Sequence, residues 1–207
     1  MRPHLLIDVI IPAYNESASI GKVIGDIPRE LVRDIIVCNN NSTDATASVA
    51  AASGAIVVDQ PLRGYGNACL AGMAYIKDRP LSPIKEGKDM VIGSRVKGNP
   101  DRGSLTIPQR FGNWLATRLI HMMYGFRFSD LGPFRAIRWQ KLLSLDMQDK
   151  NYGWTVEMQV KALQQHLACA EVPVSYRKRI GTSKVSGTVK GSILAGYKIL
   201  WTIFKSL

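Results

Sequence analysis

The first apolar run of the chain is the feature that most constrains its fold. Residues 5–11 are almost continuously apolar and rich in β-branched side chains, which is typical of a parallel strand buried on both faces. Pro12 cannot donate to a sheet ladder, so it is expected to end the strand. Ser17 is placed to cap a following helix, whose apolar residues recur at helical spacing. A strand, a polar turn and a helix predict an α/β fold, in which ligands bind beside the strand ends.

The same succession of strand and helix recurs twice. Residues 34–38 and 55–58 are short apolar runs that predict a second and a third strand. An alanine-rich helix over residues 45–53, ended by Gly54, and a helix over residues 68–77 follow them. The alternation predicts a doubly wound, Rossmann-like sheet of mostly parallel strands.

The alternation fails after residue 77. A fourth strand is due there, but residues 78–87 contain two prolines and no strand-like run. The next apolar run lies within residues 88–94. The sequence therefore predicts a sheet whose expected fourth strand is missing.

The second half of the chain alternates less regularly. The pattern predicts a loop over residues 95–103 and helices over residues 109–124 and 154–166. It also predicts a strand-like stretch over residues 126–138 and a strand over residues 169–176. The first of these helices carries a stripe that we interpret as core rather than as a cofactor site: Phe111, Trp114, Leu115, Arg118, Leu119, Met122 and Met123. We place residues 1–187 in one domain, because a chain of 207 residues is of single-domain size.

The charge of the chain predicts an anionic partner. The net charge is +11, with a basic loop over residues 177–184. Nucleic acid is not expected, because no nucleic-acid-binding motif is present and the aromatic residues fall in helical stripes. A phosphorylated substrate and an anionic membrane surface stay as the candidates.

Residues 188–207 predict a C-terminal amphipathic helix with lysines between its apolar positions. Such a helix suits lying in a membrane interface, and packing on its own domain is an equally good interpretation. The chain has no run of about 18 apolar residues and no signal peptide, so we expect a peripheral protein on the cytoplasmic face of a membrane. The three cysteines are expected to be buried thiols.

Several polar residues lie where a ligand would bind. Tyr14 and Glu16 follow the first predicted strand, and Arg63 flanks a Gly-Tyr-Gly turn that suits a phosphate but also fits a plain loop. Asp130 and Arg135 bracket a Gly-Pro bend, which indicates a site more than a core. Glu157 lies beside the apolar face of its helix, where a surface carboxylate is the commoner outcome.

An ordered set of short motifs resembles the family 2 glycosyltransferases of GT-A fold. The similarity is greatest to the branch of dolichyl-phosphate mannose synthase and polyprenyl-phosphate glucosyltransferases, and it extends over nearly the whole chain. The first three motifs are Ile-Pro-Ala-Tyr-Asn-Glu (ending at Glu16), Asn-Ser-Thr-Asp (ending at Asp44) and Gly-Ser-Arg (ending at Arg95). The last three are Asp-Leu-Gly-Pro-Phe-Arg (ending at Arg135), Trp-Thr-Val-Glu (ending at Glu157) and Gly-Thr-Ser-Lys (ending at Lys184).

The resemblance implies an inverting hexosyltransferase that moves a sugar from a UDP- or GDP-linked donor to a polyprenyl (dolichyl-type) phosphate. The residues that it assigns to the donor are Pro12, Tyr14, Glu16, Asn39, Arg63 and Arg95. The residues that it assigns to the reacting centre are Asp130, Arg135 and Glu157, and those for the acceptor phosphate are Arg177, Ser183 and Lys184. The identity of the sugar and of the nucleotide is left open.

The chain departs from the family pattern in two places. Asn39 and Asn40 stand where the family usually has acidic residues that contact the base. The Asp-x-Asp motif at the end of the family's fourth strand, which holds Mg²⁺ or Mn²⁺, has no counterpart, and no metal ligand is identified. We expect a deletion or omission at the junction of Pro80 and Leu81. The alternative function is a catalytically impaired relative that binds a nucleotide or a lipid phosphate.

Overall fold

The computed structural model describes residues 7–77, 87–178, 180 and 189–205, with only the backbone described for residues 189–195. These residues form two compact units, which divide between Lys85 and Glu86. The junction of Pro80 and Leu81, where a deletion is expected, lies outside the described residues.

The first unit contains a three-stranded parallel sheet in the order β1-β2-β3. Its strands are β1 (Ile7–Ala13), β2 (Val32–Asn39) and β3 (Ile56–Asp59), and its helices are α1 (Ile20–Gly25), α2 (Thr46–Ala52) and α3 (Tyr65–Ile76), with a 3₁₀ turn at Arg29–Leu31. The predicted alternation of parallel strands and helices is therefore confirmed in this unit.

Strand β2 is buried on both faces. Ile35 and Val37 pack with residues of α1 and α2 on one side of the sheet. Cys38 points to the other side, where Gly72 brings α3 close to the sheet. Helices therefore cover both faces of this sheet, which is the doubly wound arrangement predicted from the sequence.

Two local predictions for this unit are wrong. Strand β1 continues one residue beyond Pro12, which a strand tolerates where it forms a sheet edge, and among the described residues β1 pairs only with β2. The first helix begins at Ile20 and not after Ser17. The backbone N–H of Ser17 instead donates to Asp44 Oδ2 over 3.2 Å.

The second unit contains a mixed three-stranded sheet in the order β5-β4-β6. Strand β4 (Met90–Ser94) pairs antiparallel with β5 (Arg135–Ile137) and parallel with β6 (Cys169–Pro173). The helices of this unit are α4 (Ile107–Tyr124), α5 (Trp139–Ser144), α6 (Trp154–Gln164) and α7 (Val189–Lys205). Residues 78–86, between α3 and β4, lie outside the described residues, so the missing fourth strand stays a prediction.

All three cysteines are buried thiols outside any disulfide, as predicted. Burial raises the pKa of Cys38 to about 12 and that of Cys169 to about 11, because a low-dielectric surrounding disfavours the thiolate. Both thiols are therefore protonated at neutral pH.

The prediction that the stripe of α4 belongs to the core is wrong for its exposed members, whereas Leu115, Leu119 and Met123 are partly buried. Phe111, Trp114 and Met122 are 60%, 57% and 72% exposed, respectively. The buried side of the helix consists of Ala116, Thr117 and Ile120. Periodicity alone does not decide which side of an amphipathic helix faces the protein, and here the smaller side chains do.

The predicted C-terminal helix is confirmed as α7. It packs against α4 and α6 of its own unit, with Thr202 and Ile203 buried. Lys198 Nζ lies 2.9 Å from Asp149 Oδ2 in the loop before α6. Packing on its own domain, one of the two interpretations of this segment, is therefore observed. In the described part of the chain no helix combines the length and apolarity needed to span a bilayer.

The close approach of α3 to the sheet yields a first prediction. A Cβ atom at position 72 would lie 2.6 Å from Ile10 Cγ2 and 2.9 Å from Cys38 Sγ. We expect Gly72→Ala to lower the free energy of unfolding by about 1–3 kcal/mol through overpacking. Chemical denaturation measures this change.

The matched control is Gly112→Ala in α4, where a Cβ would have no neighbour within 4 Å. Alanine is the better helix former, so this variant should gain up to about 1 kcal/mol. If both alanines had the same effect on stability, the close packing of α3 on β1 and β2 would be contradicted.

Candidate active site

In the first unit, polar turns follow the carboxyl ends of β1 and β2 and are hydrogen-bonded to each other. The backbone N–H of Asn15 donates to Ser42 Oγ over 3.0 Å, and Asn15 Oδ1 accepts from the backbone N–H of Thr43 over 2.8 Å. Asn15 has a φ of 51°, a left-handed conformation that asparagine tolerates better than most residues. The turn that carries Tyr14 and Glu16 is therefore held by the turn after β2.

The buried hydroxyl of Thr46 joins the same two turns at a second point. It accepts from the backbone N–H of Glu16 over 2.8 Å and donates to Asp44 Oδ1. Burial acts to raise the pKa of Asp44, but hydrogen bonds from Thr46 and Ser17 outweigh it and lower this pKa to about 2. Asp44 is therefore a carboxylate throughout the neutral range.

The two asparagines after β2 have different surroundings. Asn40 is buried, donates to the carbonyls of Leu62 (2.7 Å) and Gln60 (3.2 Å), and accepts from the N–H of Gly64 (2.8 Å). It therefore holds the loop that leads into α3. Asn39 lies at the strand end and donates to Asp59 Oδ1 over 2.8 Å.

Asp59 was not singled out from the sequence. The available signal was its position directly after the predicted third strand, at the same sheet edge as Asn39. Asp59 is exposed beside the amide of Asn39. These two side chains lie where the family usually has acidic residues that contact the nucleotide base.

Arg63 and Tyr14, two of the predicted donor residues, are brought together by the fold. The guanidinium carbon of Arg63 lies 4.6 Å from the centre of the Tyr14 ring, within cation–π range. Gly64 follows with a φ of 140° and leads directly into α3. The edge of the sheet thus presents a ring, a guanidinium and an amide.

In the second unit, Arg95 and Asp130 form a buried ion pair. Asp130 is fully buried, and its Oδ2 accepts from the backbone N–H and the Nε–H of Arg95 over 2.8 Å each. Its Oδ1 accepts from Nη2 of Arg95 over 2.7 Å. Burial acts to lower the pKa of Arg95, but the bond to Asp130 and its charge raise it above its ordinary value. Arg95 is a permanent cation whose orientation is fixed by Asp130.

Glu171 of β6 supports this pair, and the sequence analysis missed it. Its Oε1 accepts from the backbone N–H groups of Ser129 (2.8 Å) and Asp130 (3.3 Å). Its Oε2 accepts from Ser129 Oγ (3.0 Å) and pairs with Lys97 Nζ (2.8 Å). The signal that could have found it is an acidic residue within a predicted strand, where a buried carboxylate requires partners.

The two remaining candidate residues of the reacting centre bind backbone groups. Arg135 donates to the carbonyls of Thr155 (2.9 Å) and Gly132 (2.6 Å). Glu157 is buried and not at the surface, which contradicts the commoner outcome expected from its sequence position. Its oxygens accept from the N–H groups of Gln148 (2.9 Å) and Asp149 (2.7 Å). A catalytic role for either residue stays a prediction.

The acceptor-phosphate residues are only partly described. Arg177 is exposed just beyond the β-bridge between Pro100 and Tyr176. Ser183 and Lys184 lie outside the described residues. The ring of Tyr176 lies 5.2 Å from the guanidinium carbon of Arg95, so the stretch before the basic loop approaches the buried ion pair.

The described residues do not fit a divalent metal. In the part of the chain that the structure covers, no group of three or more histidine, cysteine, aspartate or glutamate side chains is arranged to hold an ion. The buried carboxylates of Asp130, Glu157 and Glu171 are each occupied by N–H groups of the protein.

Solved structures place this fold among the GT-A glycosyltransferases. The chain is similar to glucosyl-3-phosphoglycerate synthase from Mycobacterium tuberculosis, solved in complex with Mn²⁺, uridine diphosphate and glucosyl-3-phosphoglycerate. The TM-score is 0.73 at 21% identity, and the match covers 98% of this chain and 80% of the other. At this identity the likeness defines the fold alone.

Sequence comparisons then define the family. The model of glycosyl transferase family 2 matches residues 8–80. An uncharacterized glycosyltransferase of Mycobacterium tuberculosis is 34% identical over 210 residues, covering 91% of this chain and 94% of the relative. A dolichyl-phosphate hexose transferase of Haloferax volcanii is 30% identical over 209 residues, covering 90% and 89%. The chain belongs to glycosyltransferase family 2.

The same alignments leave part of each relative unmatched within the aligned span. The mycobacterial alignment has 210 positions, whereas 91% of the 207 residues of this chain is only about 188 residues. About 20 positions of the relative therefore have no counterpart here. The match to the family model ends at residue 80, where the predicted alternation fails.

The contacts of Thr46 yield a second prediction, which concerns pH. Thr46→Val removes the hydroxyl that binds Asp44 and Glu16, so the pKa of Asp44 should rise from about 2 toward its ordinary 3.8. Carboxyl NMR titration measures this shift. Removing the hydroxyl that accepts the Glu16 N–H should also cost about 1–3 kcal/mol of stability.

The sign of the pH dependence follows from the lowered pKa. The stabilisation by ionised Asp44 is present above pH 3.8 and is lost as the pH falls toward 2. Thr46→Val should therefore lose less stability than the wild type across this window, and solvent screening keeps the difference small because Asp44 is exposed. A steeper loss in the variant would contradict the assignment.

The position of Glu171 yields a third prediction. Glu171→Ala should lower the free energy of unfolding by about 2–4 kcal/mol, because it leaves the buried N–H groups of Ser129 and Asp130 without their acceptor. Lys97→Ala removes the half-exposed partner of the same ion pair and should cost less than about 1 kcal/mol. Equal losses in the two variants, measured by chemical denaturation, would show that the ion pair and not the backbone contact matters.

Proposed function

We propose that this chain is an inverting hexosyltransferase that moves a sugar from a UDP- or GDP-linked donor to a polyprenyl phosphate. Family membership supports sugar transfer from a nucleotide. The choice of a polyprenyl phosphate as acceptor is supported by the relative that is named a dolichyl-phosphate hexose transferase and by the excess of positive charge. The structural neighbour is a glucosyl-3-phosphoglycerate synthase that is also solved with phosphoglyceric acid, so a small phosphorylated acid is the competing acceptor class.

The observation that carries the proposal is the convergence of ligand-binding groups at the carboxyl ends of β1, β2 and β3. Tyr14 and Arg63 stack, and Asn39 stands beside Asp59 at the same edge. Parallel α/β sheets bind nucleotides at this edge. In the proposed enzyme these groups, with Pro12 and Glu16, bind the nucleoside.

The proposed reaction is one displacement at the anomeric carbon of the sugar. A phosphate oxygen of the acceptor forms the new bond to this carbon as the bond to the nucleoside diphosphate breaks, and the diphosphate leaves with the electron pair. A phosphomonoester is already ionised near neutral pH, so stabilising charge matters more than removing a proton.

The cationic residues of the second unit are assigned to these charges. Arg95, held by Asp130, serves the diphosphate, and Arg135 and Glu157 shape the reacting centre. Arg177, Ser183 and Lys184 bind the acceptor phosphate. Mn²⁺ accompanies uridine diphosphate in the structural neighbour, but the described residues of this chain do not fit such an ion, so no step is assigned to a metal.

We further propose that the protein is peripheral on the cytoplasmic face of a membrane. A polyprenyl acceptor is confined to the bilayer, and α7 carries lysines between its apolar positions, the pattern of an interfacial helix.

The absence of about 20 aligned positions favours a second candidate function. We locate the missing segment at the junction of Pro80 and Leu81, where the match to the family model ends. If this segment carries the family's metal-binding carboxylates, the chain would bind a nucleotide or a lipid phosphate without transferring the sugar.

A transfer assay separates the two candidates and is our fourth prediction. The proposed enzyme should move labelled hexose from UDP-glucose or GDP-mannose to polyprenyl phosphate. The non-catalytic relative should bind UDP or GDP in calorimetry without transfer, and should regain transfer when the corresponding segment of the mycobacterial relative is inserted between Pro80 and Leu81. A chain that neither binds a nucleotide nor transfers a sugar, even after the insertion, would contradict both candidates.

A further inference from the structure

Helix α4 exposes a mostly apolar stripe along one side, in which Arg118 is the basic member. Its members follow the helical spacing i, i+4, i+7, i+11 and i+15, and all are exposed: Ile107, Phe111, Trp114, Arg118 and Met122. The ring centres of Phe111 and Trp114 lie 6.0 Å apart. Contiguous exposed apolar surface of this kind marks an interaction site rather than ordinary protein surface.

Helix α7 packs against α4 and exposes a second stripe. Tyr197, Trp201 and Phe204 are each more than half exposed, and the rings of Tyr197 and Trp201 stack with centres 6.4 Å apart. The other side of this helix buries Thr202 and Ile203. The exposed rings are therefore held outward by the packing of the helix and are not a frayed end.

We propose that these two stripes, together called the aromatic surface, dock onto an anionic lipid bilayer. The aromatic surface consists of Ile107, Phe111, Trp114 and Met122 of α4 and Tyr197, Trp201 and Phe204 of α7. This inference deepens the proposed function and rests on it in one respect, because a lipid-linked acceptor gives the protein a reason to bind a bilayer. It assigns the main contact to α4, a helix interpreted as core from its sequence.

The charges around the aromatic surface fit anionic headgroups. Neither α4 nor α7 contains an aspartate or a glutamate. Arg110 and Arg118 are exposed on α4, and Arg118 lies within the stripe itself. Aromatic rings at the level of the headgroups, with basic side chains beside them, are typical of helices that lie in a membrane interface.

The same charges disfavour a second copy of the chain as the occupant. In a two-fold symmetric dimer a surface patch meets its own copy. Arg110 and Arg118 would then approach the same residues of the partner, and neither helix offers a carboxylate to neutralise them. An anionic bilayer supplies the missing negative charge.

Vesicle co-sedimentation of the full chain tests the aromatic surface and is our fifth prediction. The probe is phosphatidylcholine vesicles containing phosphatidylglycerol, without sugar donor or polyprenyl phosphate. The variants are Phe111→Ser and Trp114→Ser. Each should weaken vesicle binding about tenfold, because the substitution removes the apolar area of one aromatic ring from the interface. Point substitutions are preferred to removing α7, since its Ile203 is part of the core.

The matched control is Leu143→Ser on α5, which also removes an exposed apolar side chain of the same unit (44% exposed) and should leave binding unchanged. Arg110→Gln combined with Arg118→Gln should weaken binding to anionic vesicles about 25-fold, at about fivefold for each charge, and should leave binding to pure phosphatidylcholine unchanged. Unfolding curves check that all variants are folded.

Three results would overturn the proposal. The first is unchanged vesicle binding in Phe111→Ser and Trp114→Ser. The second is a wild-type dimer in light scattering that Trp114→Ser converts to a monomer, with no vesicle binding, which would assign the aromatic surface to a second copy. The third is a monomer that does not bind vesicles, which would leave a protein partner as the occupant.

Failure of the proposed function would look different. If vesicle binding depends on Phe111 and Trp114 but the chain transfers no sugar, the aromatic surface stands and the enzymatic proposal fails. If Trp114→Ser transfers sugar normally to a short-chain, water-soluble acceptor and poorly to a long-chain acceptor in vesicles, both proposals are supported.

Discussion

Burial of β2 on both faces is the constraint on which the first unit depends. Ile36 and Val37 are adjacent and fully buried, although adjacent strand residues point to opposite sides of a sheet. Such a strand is stable only where helices cover both faces, which requires parallel strands linked by crossover helices. The polar turns then gather at one edge, and hydrogen bonds between them hold Tyr14, Asn39 and Arg63 in place.

The second unit is organised around buried carboxylates. Asp130, Glu157 and Glu171 each accept backbone N–H groups and each also pairs with a lysine or an arginine. A buried carboxylate without such partners is costly, so the loops that supply the N–H groups are held in one conformation. The buried carboxylates thereby fix the conformation of the loops around Arg95. Because their oxygens already accept hydrogen bonds from the protein, these carboxylates are poorly suited to bind a metal.

Three separate observations indicate that a segment of the family pattern is missing from this chain. The alternation of strands and helices fails after residue 77, the match to the family model ends at residue 80, and the alignments contain about 20 unmatched positions. The described strands form two three-stranded sheets, and β1 has one strand neighbour among them. The hydrogen-bonded polar turns after β1 and β2 precede the point at which the alternation fails.

The sequence by itself determined the α/β class, the order of most elements and the family, because these follow from local periodicity and from motifs a few residues long. It also placed Tyr14, Glu16 and Asn39 after buried strands, because the carboxyl ends of neighbouring parallel strands lie at one sheet edge. Only the tertiary structure decided that Phe111 and Trp114 face outward, that Glu157 and Glu171 are buried, and that Arg63 stacks on Tyr14. These outcomes depend on contacts between residues distant in the chain, such as Ser129 with Glu171, and no local pattern encodes which side of a helix its neighbours will cover.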